Sequence, residues 1–200
     1  MHQTEQKRYS KTTALVLCGI FAALMAICSF ITIPLGFTPV PINLATLGVF
    51  LTGGILGKKY GSISLIVYIL LGAVGVPVFA GFKGGLGVLA GPTGGYIIGY
   101  LAAAFLIGLL VELVFTKTGT DSGQRSAKSS TSRFIGIILA MIAGLAACYA
   151  LGTAWFMIST GTGLGAALIS CVIPFLPGDA AKIIVGALLV QKLRPAIPIR

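Results

Sequence analysis

The sequence predicts an all-α integral membrane protein with six transmembrane helices. Hydrophobic residues make up 56% of the chain and charged residues only 9%, with a mean hydropathy of +1.03, whereas about a quarter of an ordinary soluble domain is charged. Several apolar stretches approach or exceed the roughly 20 residues a helix needs to cross the hydrocarbon core. The polar/apolar alternation of membrane strands is missing, so helices span rather than a barrel. A single membrane domain covering residues 1–200 is the simplest organisation.

The first helix is expected at about 12–33, after Lys7, Arg8 and Lys11, which favour a cytoplasmic N-terminus. Ala14, Cys18, Ala22 and Ala26 form a stripe of small residues at i,i+4 spacing. Such a stripe permits close helix approach, either within this chain or to another membrane subunit. Pro34, Pro39 and Pro41 then break the helix, because proline removes donors and biases its predecessor to extended geometry. The second helix, about 43–57, opens on Asn43, the chain's sole asparagine, and ends before Lys58 and Lys59. Asn43 suits two roles, a helix cap or a donor and acceptor for a ligand.

A third helix is expected at about 62–76. Residues 77–95 are apolar yet crowded with glycine and proline, and irregular backbone near membrane depth survives only when buried in protein or lining a cavity. This segment reads as a loop folded over the bundle mouth. Phe79 and Phe82 are odd choices for a solvated linker, and glycines such as Gly91 and Gly94 let a ligand approach backbone N–H groups. The fourth helix spans about 96–115, opening on Tyr96 and carrying Glu112 near its inner end. The hydrophilic stretch 116–133 reads as a cytoplasmic loop. The fifth helix, about 134–158, carries Tyr149 and the only tryptophan, Trp155, suited to interfacial anchoring or to an aromatic wall for a ligand. An outer loop or half-helix broken at Pro174 and Pro177 precedes the sixth helix, about 178–193, and Lys192, Arg194 and Arg200 mark a cytoplasmic C-terminus.

With both termini cytoplasmic, twelve of the fourteen basic residues fall inside, and the exceptions are Lys83 and Lys182. The positive-inside rule thus accounts for the net charge of +10 without nucleic acid. Asp179 is the one acid in the outer half. At i,i+3 spacing a helix places Asp179 and Lys182 on one face. They either cap the helix and snorkel to headgroups, or face a cavity, since charge at membrane depth is expensive. Asn43 and Lys83 converge on the same outer end. With the glycine loop they outline an outward-facing pocket, mostly apolar with a few polar anchors.

Catalytic signatures are missing. The sole histidine is His2, and no paired carboxylates, zinc-ligand cluster or GxSxG elbow occurs. Gly53 to Lys59 imitates a phosphate loop but has the wrong glycine spacing and no Ser or Thr after the lysine. The four cysteines lie in apolar segments outside any CxxC pair. No catalytic residue, metal or cofactor is expected, and the chain has no visible means of using ATP.

Three blocks carry a family resemblance: Pro39-Val-Pro-Ile-Asn-Leu-Ala-Thr-Leu-Gly48, Gly75-Val-Pro-Val-Phe-Ala-Gly81 running to Gly91-Pro-Thr-Gly-Gly-Tyr96, and Pro174-Phe-Leu-Pro-Gly-Asp-Ala-Ala-Lys182. In this order they resemble the BioY family, biotin-specific substrate-binding (S) subunits of energy-coupling factor (ECF) transporters. The resemblance implies an ECF S-component-like bundle in a prokaryotic cell membrane, binding biotin near the outer surface. It also implies partners, a transmembrane coupling subunit and two cytoplasmic ATPases that alone use ATP, with Ala22 and Ala26 as the docking pair. For biotin two orientations are open, this one or its reverse: Asp179 would accept from the ureido N–H groups and Lys182 or Asn43 donate to its carbonyl. Lys83 or the Gly91–Gly95 turn would hold the carboxylate, and Phe79, Phe82, Tyr96 or Trp155 cover the rings. A stand-alone carrier and a small membrane enzyme are the competing readings, the latter needing a reactive cluster.

Overall fold

A computed structural model describes residues 11–119 and 127–197, without the side chains of 117–119 and 127–129. The tail residues Glu5, Lys7, Arg8 and Arg200, the loop residues Asp121 and Arg125, and the side chains of Lys117 and Lys128 lie outside what is described.

The chain folds as α1 (Lys11–Phe30), a two-residue antiparallel pair β1 (Thr32–Ile33) and β2 (Ile42–Asn43), α2 (Ala45–Ala73), α3 (Leu86–Ala90), α4 (Gly94–Gly119), α5 (Ala127–Thr160), α6 (Leu164–Cys171) and α7 (Leu176–Leu193). Among the described residues five helical stretches are long and apolar enough to cross a membrane. One of them, α2, is two helices in one. At Gly57 the backbone leaves helical geometry with φ 77°, a left-handed value that glycine adopts without steric cost. The second limb doubles back on the first, so that a methyl group at Gly61 would lie 3.0 Å from the Thr52 carbonyl oxygen. The bundle therefore holds six helices, and the expected break at 57–62 shrinks to one residue.

A reversal this tight strands the carbonyls of one limb and the N–H groups of the next. Two charged side chains satisfy them. Glu112 of α4 accepts from the Lys58 N–H at 3.0 Å, capping the second limb, and Arg194 donates to the Gly54 carbonyl at the end of the first. Each charge has the sign the local helix dipole favours. Arg194 and Arg133 also lie over the Phe115 ring, at 5.2 and 5.6 Å. The hydrophilic segment expected at 116–133 is largely helical, since α4 runs to Gly119 and α5 starts at Ala127.

Helix α1 packs on α2, α2 on α4, α4 on α5, and α7 closes the bundle between α2 and α5. Small residues let the backbones approach. A methyl group at Gly108 of α4 would sit 2.3 Å from the Lys58 nitrogen. Three irregular segments gather at the end opposite the Gly57 turn, the mouth. They are the β1–β2 hairpin, the loop carrying α3, and α6 with the 3-10 turn Ile173–Phe175. Pro177 lies at the start of α7, where its missing N–H costs nothing, so α7 begins two residues before the expected Gly178.

Gly108→Ala should destabilise the protein by about 1–3 kcal/mol through overpacking against the Gly57 turn, read as a fall in unfolding temperature in detergent. Gly19→Ala, on open α1 surface with nothing within 4 Å, should cost nothing. Equal stability of the two variants would refute the close contact between α4 and the turn.

Candidate binding site

The mouth end encloses a cavity of about 580 Å³, within the usual range for small-molecule sites. Its walls come from every major helix: Ser29 and Phe30 of α1, Thr46 and Tyr68 of α2, Tyr100 of α4, Tyr149 of α5, and Asp179 and Lys182 of α7. The hairpin residues 38–41 and the loop residues 79–83 roof it.

Asp179 falls in the first turn of α7, where the helix dipole favours a carboxylate. It is 2% exposed and Lys182 is 8% exposed, so neither charge snorkels to a surface. Lys182 Nζ donates to Asp179 Oδ1 at 2.8 Å and to Thr46 Oγ1 at 3.1 Å. Thr46 passes its own proton to Asp179 Oδ1 at 2.9 Å, and the Tyr149 hydroxyl donates to Asp179 Oδ2. Three helices thus converge on one carboxylate. The pair is electrically neutral and closely hydrogen-bonded, the condition under which buried charge is tolerated.

The other expected residues divide. Asn43 Oδ1 accepts from the Ala45 N–H at 3.0 Å, and the residue lines the cavity. Phe79 is buried, edge-on to Tyr68 with centroids 5.5 Å apart. Its ring fits only because Gly72 has no side chain, since a methyl group there would lie 2.0 Å away. Phe82 and the exposed Lys83 line the mouth, and Phe82 stacks on Phe30 with centroids 4.4 Å apart. Tyr96 also lines the cavity, its hydroxyl 3.2 Å from Thr153 Oγ1.

Gly91, Gly94 and Trp155 do not line it. The Gly91 N–H bonds to the Gly87 carbonyl, and the Gly94 N–H bonds to the Gly91 carbonyl, each at 3.0 Å. Neither is left for a ligand carboxylate. Trp155 Nε1 donates to the Gly91 carbonyl at 3.0 Å, so this tryptophan braces the loop from behind instead of walling the cavity. Ala22 is also corrected. With Ala14 and Cys18 it is buried on the face of α1 turned to α2, where Ser64 Oγ donates to the Cys18 carbonyl at 2.9 Å. Ala26 is half-buried, while Gly19 and Ala23 form the exposed small-residue face.

Sequence reasoning missed Thr46, Tyr149, Tyr68 and Tyr100. Thr46 had a signal only in its place beside Asn43, since α2 begins at Ala45 and leaves Asn43 in β2. The tyrosines had none, because their positions facing the cavity depend on how α2, α4 and α5 pack.

Lys182→Met should cost about 3–5 kcal/mol of stability, because it leaves the Asp179 carboxylate buried without its countercharge. Replacing both residues, Asp179→Leu with Lys182→Met, should recover most of that in a detergent melt. A single variant as stable as wild type would show that the pair is not buried.

The sequence model of the BioY family matches residues 2–199. The biotin transporter BioY of Thermotoga maritima is 40% identical over 181 residues, 90% of this chain and 95% of that one. The biotin transporter BioY of Rhizobium etli is 35% identical over 189 residues, covering 94% and 96%. Among solved structures, the S-component for biotin from an ECF-type ABC transporter aligns with a TM-score of 0.76 at 32% identity, over 98% of this chain and 95% of that one. A multi-pass membrane bundle with this match along nearly its whole length belongs to the BioY family.

Proposed function

We propose that this chain is the substrate-specific membrane subunit of an ECF-type transporter, capturing biotin in the mouth cavity. The observation that carries the reading is the neutral Asp179–Lys182 pair set in a mostly apolar and aromatic cavity. Biotin needs such a site: its ureido ring is neutral with two N–H donors and a carbonyl, its thiophane ring is apolar, and its valerate ends in a carboxylate. A second carboxylate would meet Asp179 unfavourably, so the ureido ring belongs at the pair, beside Thr46 and Asn43. The carboxylate then extends toward Lys83 at the mouth, with Phe79, Phe82 and Tyr96 along the rings. Fixed polar partners discriminate strongly, because an analogue lacking the group leaves them unpaired.

The charge distribution supports an outward-facing mouth. Lys58, Lys59, Lys192 and Arg194 sit at or beside the Gly57 turn, and Arg133 shares the Phe115 ring with Arg194. By the positive-inside rule that end is cytoplasmic. The same end would meet the coupling machinery, a transmembrane subunit with two ATPases. The exposed Gly19–Ala23 face of α1, with Ala26 at its edge, suits close helix docking, in place of the buried Ala22.

The purified chain in detergent should bind biotin and desthiobiotin saturably, without chemical change, and should not bind thiamine. Asp179→Asn should weaken biotin binding by about a hundredfold or more. Near-normal affinity in that variant would place the ligand elsewhere. Ala23→Trp should keep biotin binding and lose co-purification with the coupling subunit, while Ala22→Trp, wedged against α2, should lose both. An intact complex with Ala23→Trp would move the docking face.

A further inference from the structure

Counting donors and acceptors around Asp179 limits what the site can read. A carboxylate has about four acceptor positions. Oδ1 is filled by Lys182 and Thr46, and Oδ2 takes one bond from Tyr149. One acceptor position, on Oδ2, remains. An ammonium has three donors, and Lys182 gives one to Asp179 and one to Thr46, leaving one. Thr46 has a single hydroxyl proton, and Tyr149 likewise, and both are spent on Asp179.

We infer that Thr46 and Tyr149 are positioning residues that reduce the Asp179–Lys182 pair to one acceptor and one donor, so that it reads a single –NH–C(=O)– edge of the ligand. The inference rests on the biotin reading above and narrows it. A free carboxylate and ammonium would offer several bonds in many orientations. Here the oxygen facing Lys182 is saturated, and Tyr149 fixes the other from α5 while Thr46 holds the first from α2. The carboxylate plane is pinned from three helices. The complement of one adjacent donor and acceptor is a cis secondary amide, the geometry locked into a cyclic urea or lactam. A cyclic urea presents two such edges sharing one carbonyl. Only one of its nitrogens can be served by Asp179, so the two nitrogens are inequivalent to the protein. The neutrality of the pair adds a second restriction: a cationic guanidine in place of the urea has no carbonyl for Lys182 and brings a donor against a donor.

The test is equilibrium binding to the purified full-length chain in detergent, using biotin and its two isomers methylated singly on one or the other ureido nitrogen. One isomer should bind about a hundredfold or more weaker than biotin, the loss typical of an unpaired buried partner, while the other stays within about tenfold. Tyr149→Phe and Thr46→Val should each weaken biotin by about tenfold or more. Neither substitution should further weaken the poorly bound isomer, which already lacks the N–H they position. A merely structural role would weaken all three ligands alike, and that result overturns the positioning assignment. If biotin binds and both isomers bind equally well or equally poorly, the single-edge inference is wrong while the biotin-binding reading stands. If wild type does not bind biotin, the functional reading itself fails, and this inference with it.

Discussion

The ion pair between Asp179 and Lys182 is the interaction on which the rest of the mouth depends. Each charge alone would cost about 2.5–3.5 kcal/mol at membrane depth. Together they cost less only because Thr46 and Tyr149 complete their hydrogen bonds. Those two side chains come from α2 and α5, so the pair also sets where these helices stand against α7. The ion pair is thus also a structural joint between α2, α5 and α7. Its polar atoms are held by hydrogen bonds within the protein itself, the kind of preorganisation that reduces the ordering cost of binding.

Helices α2 and α7 are tied at both ends. At the mouth the tie is Thr46 with Asp179 and Lys182, and at the far end it is Arg194 on the Gly54 carbonyl. Between them the contact is lean and close: a methyl group at Gly54 would lie 2.6 Å from the Val190 side chain. The hydrophobic effect contributes little between helices in lipid, so packing and interhelical hydrogen bonds must hold such a pair. The Gly57 turn adds a covalent limit, since α2's second limb carries Tyr68 back to the same cavity whose wall the first limb opens with Thr46. Four of the wall residues, Thr46, Tyr68, Asp179 and Lys182, therefore depend on two helices and one glycine.

Much of this was legible in the sequence. Hydropathy and proline placement located all six helices, and the isolated charges located the mouth, because a charge in an apolar segment has few physical reasons to be there. Boundaries were less legible. The break between the second and third helices was read as several residues, since Lys58 and Lys59 look like a loop. Only Glu112 and Arg194, more than fifty residues away, let the turn close on Gly57 alone. Burial on α1 misled in the other direction. Ala22 and Ala23 are both small, and which one faces inward depends on where α2 packs, which no pattern of small residues encodes. Trp155 carried a signal for an aromatic at the outer end but none for its partner, the Gly91 carbonyl.

Phe82 is the one non-glycine residue with positive φ among the described residues, at 57°. Holding a bulky residue there costs roughly 1–3 kcal/mol, and its stack on Phe30 returns about 0.5–1.5 kcal/mol. The stack offsets only about half of that cost, with the ring still 66% exposed. The walls are different, since each hydrogen bond to a charged group there is worth about 1.5–3 kcal/mol. The protein is therefore mechanically graded from rim to floor: a strained, weakly held rim sits on walls fixed by charged hydrogen bonds. The loop at the rim is held by little, while the polar geometry beneath it is held from three helices.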